Sequence, residues 1–173
     1  TGTTRVLAGT LRVNGVQPQS PVSVVGARLE GAGTVGHITS NGRIAPGSGT
    51  TGPGLLSCSN LTFQSGGTLE MNIGGPNPGT GYDQVAVRGA VQLANATLQP
   101  ILSPGFLPDS GDTFDIRNND GADAVGGTFS GIPNNGFVSA GPGLRFQVRY
   151  NGGDGNDVTL TFTNETVAAR PVI

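Results

Sequence analysis

Glycine recurs throughout this chain and limits the folds that the chain can adopt. Glycine accounts for 31 of the 173 residues, and it repeatedly opens short segments in which apolar and polar residues alternate. Residues 9–13, 26–29, 33–35, 67–71 and 89–93 are examples. A glycine turn followed by a period of two residues is typical of a short β-strand. The repeated pattern therefore predicts an all-β protein built from many short strands.

The spacing of the strand-opening glycines predicts stacked windings of the chain. The steps are 17 residues from Gly9 to Gly26, 16 to Gly42, 25 to Gly67 and 22 to Gly89. Repeats of about 20 residues are typical of solenoid proteins, in which each repeat buries its apolar face against its neighbours. We therefore predict a short parallel β-solenoid, or β-helix, in the first part of the chain.

A tract rich in glycine and proline divides the sequence. Residues 74–81 hold four glycines and two prolines, a composition that excludes regular secondary structure. Beyond it, residues 144–150 and 157–163 both alternate apolar and polar positions, and an Asn/Gly-rich loop joins them. This arrangement predicts an antiparallel hairpin.

These observations predict two modules, because a solenoid needs a cap that covers its apolar end and its strand edges. We assign residues 1–75 to β-solenoid windings, 76–166 to an antiparallel, β-sandwich-like capping module and 167–173 to a tail.

Charge and cysteine content exclude several classes of protein. All nine cations are arginines, and they form no cluster, so a nucleic-acid partner is not expected. No run of 18 apolar residues occurs, and we expect no membrane insertion by this segment. Cys58 is the single cysteine and can form no intrachain disulfide. Small residues, Asn/Gly turns and scarce cysteine are the composition that we expect of an extracellular or cell-surface bacterial protein.

One short motif could bind a metal ion. Residues 152–157 match the start of the calcium-binding repeat G-G-x-G-x-D, which makes Asp154, Asn156 and Asp157 candidate calcium ligands. That repeat works as stacked copies, and only one copy is present. A hairpin turn is the alternative, and the sequence favours it.

The residues that could catalyse a reaction lack partners in the sequence. His37 is the only histidine, so no multi-histidine metal set exists. Asp109, Asp112 and Asp115 could serve as paired carboxylates, but their spacing fits a turn at a strand entry better. We therefore predict no catalytic residues, no cofactor-binding residues and no enzyme activity.

Several segments resemble a known family in their order along the chain. The segments are residues 9–15 (GTLRVNG), 26–36 (GARLEGAGTVG), 42–47 (GRIAPG), 82–89 (YDQVAVRG), 111–116 (GDTFDI), 127–131 (GTFSG) and 150–158 (YNGGDGNDV). Together they resemble the C-terminal part of bacterial autotransporter-type passengers with autotransporter-associated β-strand repeats. The resemblance implies a secreted right-handed β-helix with a capping module that serves as a surface scaffold or adhesin. It implies no catalytic residue.

These inferences favour a non-catalytic, extracellular structural or adhesive scaffold that self-associates into a fibre or a surface layer. Its expected partners are further copies of itself, a preceding repeat array or surface glycans. The alternative is a carbohydrate-binding module on a β-solenoid, with Arg12, Arg28 and Arg43 on one lateral face.

Overall fold

The protein is all-β. The computed structural model describes residues 2–48, 52–119 and 123–164, and these residues form seventeen strands and no helix. The tail predicted for residues 167–173 lies outside the described residues. The strands are β1 (Thr4–Val6), β2 (Thr10–Arg12), β3 (Val22–Val24), β4 (Arg28–Gly31), β5 (Ile38–Ser40), β6 (Arg43–Pro46), β7 (Leu55–Cys58), β8 (Leu61–Phe63), β9 (Thr68–Ile73), β10 (Gln84–Val87), β11 (Val91–Gln92), β12 (Thr97–Leu102), β13 (Thr113–Asn119), β14 (Val125–Gly126), β15 (Phe137–Gly141), β16 (Leu144–Gly152) and β17 (Asp157–Asn164).

The strands form three sheets. Sheet A has the order β1-β3-β5-β8-β11-β14, and sheet B has the order β2-β4-β6-β9-β12. All pairs in these two sheets are parallel. Sheet C is mixed, with the order β7-β10-β13-β17-β16-β15. Its first two pairs are parallel, and the other three are antiparallel.

The chain visits the sheets in a repeating order. It first alternates between sheets A and B, and from β7 onward it visits C, A and B in turn as far as β12. Isolated parallel bridges from Val16 to Thr34 and from Thr34 to Ser57 continue the side of sheet C back towards β2. Each passage of the chain therefore lies in register against the previous one.

The core of sheet B is a column of aliphatic side chains. Leu11, Leu29, Ile44, Leu69 and Leu98 occupy equivalent register positions on its five strands. Leu29 and Ile44 are fully buried, whereas Leu11 at the end of the column is only half-buried. Each buried side chain contributes about 1.5–3 kcal/mol through the hydrophobic effect. The column therefore holds successive passages together.

Glycine supplies the corners between sheets A and B, where the chain must adopt a positive φ. Gly9 and Gly26 lead into β2 and β4 with φ of 70° and 65°. Asn41 links one corner to the next passage, because its Oδ1 accepts the Gly26 N–H at 2.9 Å. Gly89 differs, because it leads into β11 of sheet A. The 22-residue step from Gly67 to Gly89 is therefore not a repeat of the same corner.

Parallel pairing continues past the glycine- and proline-rich tract. Strands β9 and β12 pair over six residues on either side of it, and β7 pairs with β10. The tract is a compact loop, in which Gly74 N–H donates to Gly81 O at 2.8 Å and Gly81 N–H to Asn77 O at 2.7 Å. Such a loop is not regular secondary structure, but it returns the chain to the next passage. Parallel pairing therefore reaches β13 and β14, beyond residue 75, where the sequence indicated a change to antiparallel strands.

Antiparallel strands form one end of sheet C. Strands β16 and β17 form the hairpin that the sequence predicts, and β17 also pairs with β13. Four aromatic rings pack in series beside these strands. Tyr82 contacts Phe114, Phe114 contacts Phe146, and Phe146 contacts Phe162, with ring centroids 5.3–5.9 Å apart. These edge contacts are a favoured geometry for aromatic pairs.

Candidate functional site on the charged face and the open edge

The outer face of sheet B brings together the three arginines of the predicted lateral face. Side chains alternate between the two faces of a strand, so the residues that flank the inward leucines point outward. Arg28 and Arg43 share one outward column, and Arg12 and Glu30 share the next. Glu70 on β9 joins them, although the sequence pattern did not single it out. We call these five residues the charged ladder.

Each glutamate of the charged ladder is held by two arginines. Glu30 Oε1 accepts from Arg12 Nε at 2.7 Å and from Arg12 Nη2 at 2.6 Å, and Glu30 Oε2 accepts from Arg28 Nε at 3.2 Å. Glu70 accepts from Arg28 Nη2 at 2.7 Å and Nη1 at 3.3 Å, and also from Arg43 Nη1. The ion pairs therefore link the five residues in the order Arg12, Glu30, Arg28, Glu70 and Arg43, so that charges alternate along this series over four neighbouring strands.

Burial strengthens these ion pairs. Glu30 and Glu70 are each only 5% exposed. Burial alone would raise the pKa of Glu70, but hydrogen bonds from Arg28 and Arg43 and their charges outweigh it, so the pKa lies below its usual value. Ala45, on the strand between Arg28 and Glu70, is fully buried, and its small side chain leaves room for them to meet.

The edge formed by β1 and β2 is open. Among the described residues, no strand lies beyond β1 in sheet A or beyond β2 in sheet B. Leu7 and Val16 near this edge are 64% and 80% exposed, and the Arg12 side chain is 52% exposed. Unpaired N–H and C=O groups on such an edge can pair with a further strand. We call β1, β2 and these exposed side chains the open edge.

An arginine occupies the base of the glycine loop that carries the calcium candidates. Arg117 Nη1 donates to the backbone oxygen of Asn156, and Asp154 and Asp157 lie close enough for their charges to act on Arg117. Burial lowers the pKa of Arg117 to about 10, against the opposing effect of Asp157. Within residues 2–48, 52–119 and 123–164, no three His, Cys, Asp or Glu side chains are grouped to hold a metal ion. Calcium binding at Asp154, Asn156 and Asp157 stays a prediction.

Asp83 ties two segments together from a fully buried position. Its Oδ1 accepts the Gly54 N–H at 2.8 Å, and its Oδ2 accepts the Asn72 N–H and Nδ2–H, both at 2.8 Å. Burial raises the pKa of Asp83 to about 6 despite these three donors. The sequence offers no local signal for this role, because Gly54 and Asp83 meet only when successive passages stack.

The remaining candidate side chains make local contacts. His37 Nε2 lies 3.2 Å from Thr62 Oγ1, on the neighbouring strand passage. Burial raises the pKa of the Cys58 thiol to about 12, which keeps it protonated. Asp112 Oδ2 accepts the Asp109 N–H at 2.9 Å, which is the turn that the sequence favours. Burial, followed by the charge of Asp157, raises the pKa of Asp115.

Comparison with protein-family models and with curated proteins identifies no relative of this chain. No protein-family model matches the chain, and no curated protein matches it in sequence. The described residues contain no helix that is long and apolar enough to span a membrane. A proposal about function therefore depends on the geometry of the charged ladder and of the open edge.

Proposed function

We propose that this chain is a β-solenoid with an antiparallel, sandwich-like cap, and that it serves as a non-catalytic structural or adhesive scaffold on a bacterial surface or in a secreted repeat protein. The register of the inward column, from Leu11 to Leu98 over five parallel strands, is the observation that supports the proposal most directly. Backbone ladders between passages give a rigid rod that needs no reactive side chain.

The open edge is the place where further strands would add to this scaffold. A parallel strand that pairs with β1 or β2 would continue sheets A and B and cover Leu7 and Val16. A fibre or a surface layer would form if copies of the chain stack in this way. The extracellular, bacterial location rests on composition and on the resemblance to autotransporter-type passengers.

Native-state hydrogen exchange tests the scaffold proposal. We expect the amides of β4, β6 and β9 to exchange together and most slowly, because they lie between paired strands on both sides. Exchange of these amides as fast as that of the turns would contradict a rigid scaffold. Antibody labelling of intact against permeabilised cells of the producing organism tests the location, and labelling only after permeabilisation would contradict it.

A carbohydrate-binding module is the second candidate. Arg12, Arg28, Arg43 and Gln99 line a groove of about 490 Å³ on the outer face of sheet B. Arg12 and Arg43 are about half exposed, and their guanidinium groups could donate to sugar carboxylates or sulfates. A glycan array tests this candidate with the variant Arg12→Ala/Arg43→Ala. Binding of one acidic polymer by the wild type, lost in the variant, would favour it over the scaffold.

A further inference from the structure

The charged ladder ends on a cation at the open edge. It contains three arginines and two glutamates, and each glutamate lies between two arginines. Arg12 is the terminal member, and its Nε and Nη2 both donate to one oxygen, Glu30 Oε1. Its side chain is 52% exposed, compared with 22% for Arg28, which has a glutamate on either side. Continuation of the alternating charges beyond β2 requires a carboxylate.

The inward column ends at the same strand. Leu11 is only half-buried, whereas Leu29 on the next strand is fully buried. Leu7 and Val16, two of the four large apolar side chains exposed in the described residues, lie at this end. A segment that docks here gains apolar contact as well as backbone hydrogen bonds.

The positive charge of the open edge makes the open edge of a second copy an unfavourable binding partner for it. Residues 2–27 carry Arg5 and Arg12 and contain no aspartate or glutamate. Two open edges brought together would place cations beside cations, which costs free energy. A segment with a carboxylate has the opposite charge.

We propose that the open edge binds an extended segment in parallel, with an apolar side chain beside Leu11 and a carboxylate beside Arg12. The inference rests on the proposed scaffold role, because it names the chemistry of the strand that continues the stack. The carboxylate would complete the charged ladder, and the apolar side chain would complete the inward column.

The chain itself shows the register that such a strand would adopt. Strand β9 pairs in parallel with β6, with Thr68 beside Arg43 and Leu69 beside Ile44, and Glu70 follows. The same segment placed against β2 would set its leucine beside Leu11 and its glutamate beside Arg12. A heptapeptide with the sequence of residues 67–73 is therefore a suitable probe.

Nuclear magnetic resonance titration of the intact chain with this peptide tests the proposal. The matched control is the same peptide with lysine in place of its glutamate, and both are titrated to millimolar concentration. We expect amide shifts confined to residues 4–16, and binding of the glutamate peptide at least about fivefold tighter than that of the lysine peptide. The variant Arg12→Glu should reverse the preference, and Arg12→Gln should abolish it. Arg12→Gln keeps the test usable if Arg12→Glu fails to fold.

Each other outcome overturns the proposal. Absence of shifts with both peptides would exclude the open edge as a docking site. Equal binding of both peptides would exclude the role of Arg12. Shifts at the open edge that depend on protein concentration without peptide would identify a second copy as the occupant. Slow hydrogen exchange in β4, β6 and β9 alongside any of these results would leave the scaffold proposal intact.

Discussion

The two ends of the molecule differ in how the stacked strands stop. At the open edge, the inward column ends on half-buried Leu11 and the charged ladder ends on half-exposed Arg12. At the other end, β16 and β17 turn antiparallel, and Phe146 lies fully buried between Phe114 and Phe162. The antiparallel end therefore buries bulky aromatic rings among its strands, whereas the open edge keeps a charged side chain half exposed to water. The comparison predicts that similar apolar truncations have unequal effects at the two ends.

Truncation of the aromatic stack should have the largest effect. Phe146→Ala removes a fully buried ring that contacts two others, and we expect it to lower the free energy of unfolding by about 3–5 kcal/mol. Leu11→Ala, the truncation at the open edge, should lower it by only about 1 kcal/mol, because Leu11 is only partly buried. Urea unfolding of both variants measures the difference. Equal losses would show that the open edge is as well packed as the antiparallel end.

The pH dependence of stability should distinguish Asp83 from the charged ladder. Asp83 accepts from three amide donors, and its pKa is about 6 in the folded chain against about 4 unfolded. The folded state therefore binds this proton more tightly, and stability falls as the pH rises from about 4 to about 6. We expect the wild type to lose about 2–3 kcal/mol over this interval relative to Asp83→Asn, which lacks the titrating group. Parallel pH curves for the two proteins would contradict this effect of burial.

Glu70 should contribute a pH dependence of stability that is opposite in sign to that of Asp83. Its pKa lies below the usual value because Arg28 and Arg43 outweigh the effect of burial, so its contribution is present above the unfolded pKa and is lost as the pH falls. Glu70→Gln should lower the free energy of unfolding at pH 7 by about 1–3 kcal/mol, because three charge-assisted hydrogen bonds from Arg28 and Arg43 weaken. Thr97→Ala on the next strand is the control, because Thr97 is exposed, and we expect less than about 0.5 kcal/mol. Thermal melts at pH 7 compare the two, and a larger loss for the control would remove the ladder as a source of stability.

The sequence predicts local features of this fold better than distant pairings. Alternation places Leu29 inward and Arg28 outward from neighbouring residues alone, and the loop at 151–156 identifies the final hairpin. The contact between Arg28 and Glu70 spans 42 residues, and it depends on how long each passage is. Passage lengths differ between the start and the middle of the chain, so glycine spacing alone could not identify that partner.

A substitution at a corner without glycine, between the parallel strands β11 and β12, should have the smallest effect on the free energy of unfolding. Ala94 and Asn95 have φ of 46° and 58°, and Ala96 N–H donates to Leu93 O at 2.8 Å, which closes a tight turn between β11 and β12. Alanine is strained at a positive φ, whereas asparagine tolerates it. Ala94→Asn should therefore raise the free energy of unfolding by about 0.5 kcal/mol. Ala8→Asn is the control, because Ala8 is exposed and has no positive φ, and its midpoint in urea should not rise. An equal gain at both positions would mean that asparagine acts through solvation, and not by relieving backbone strain at this corner.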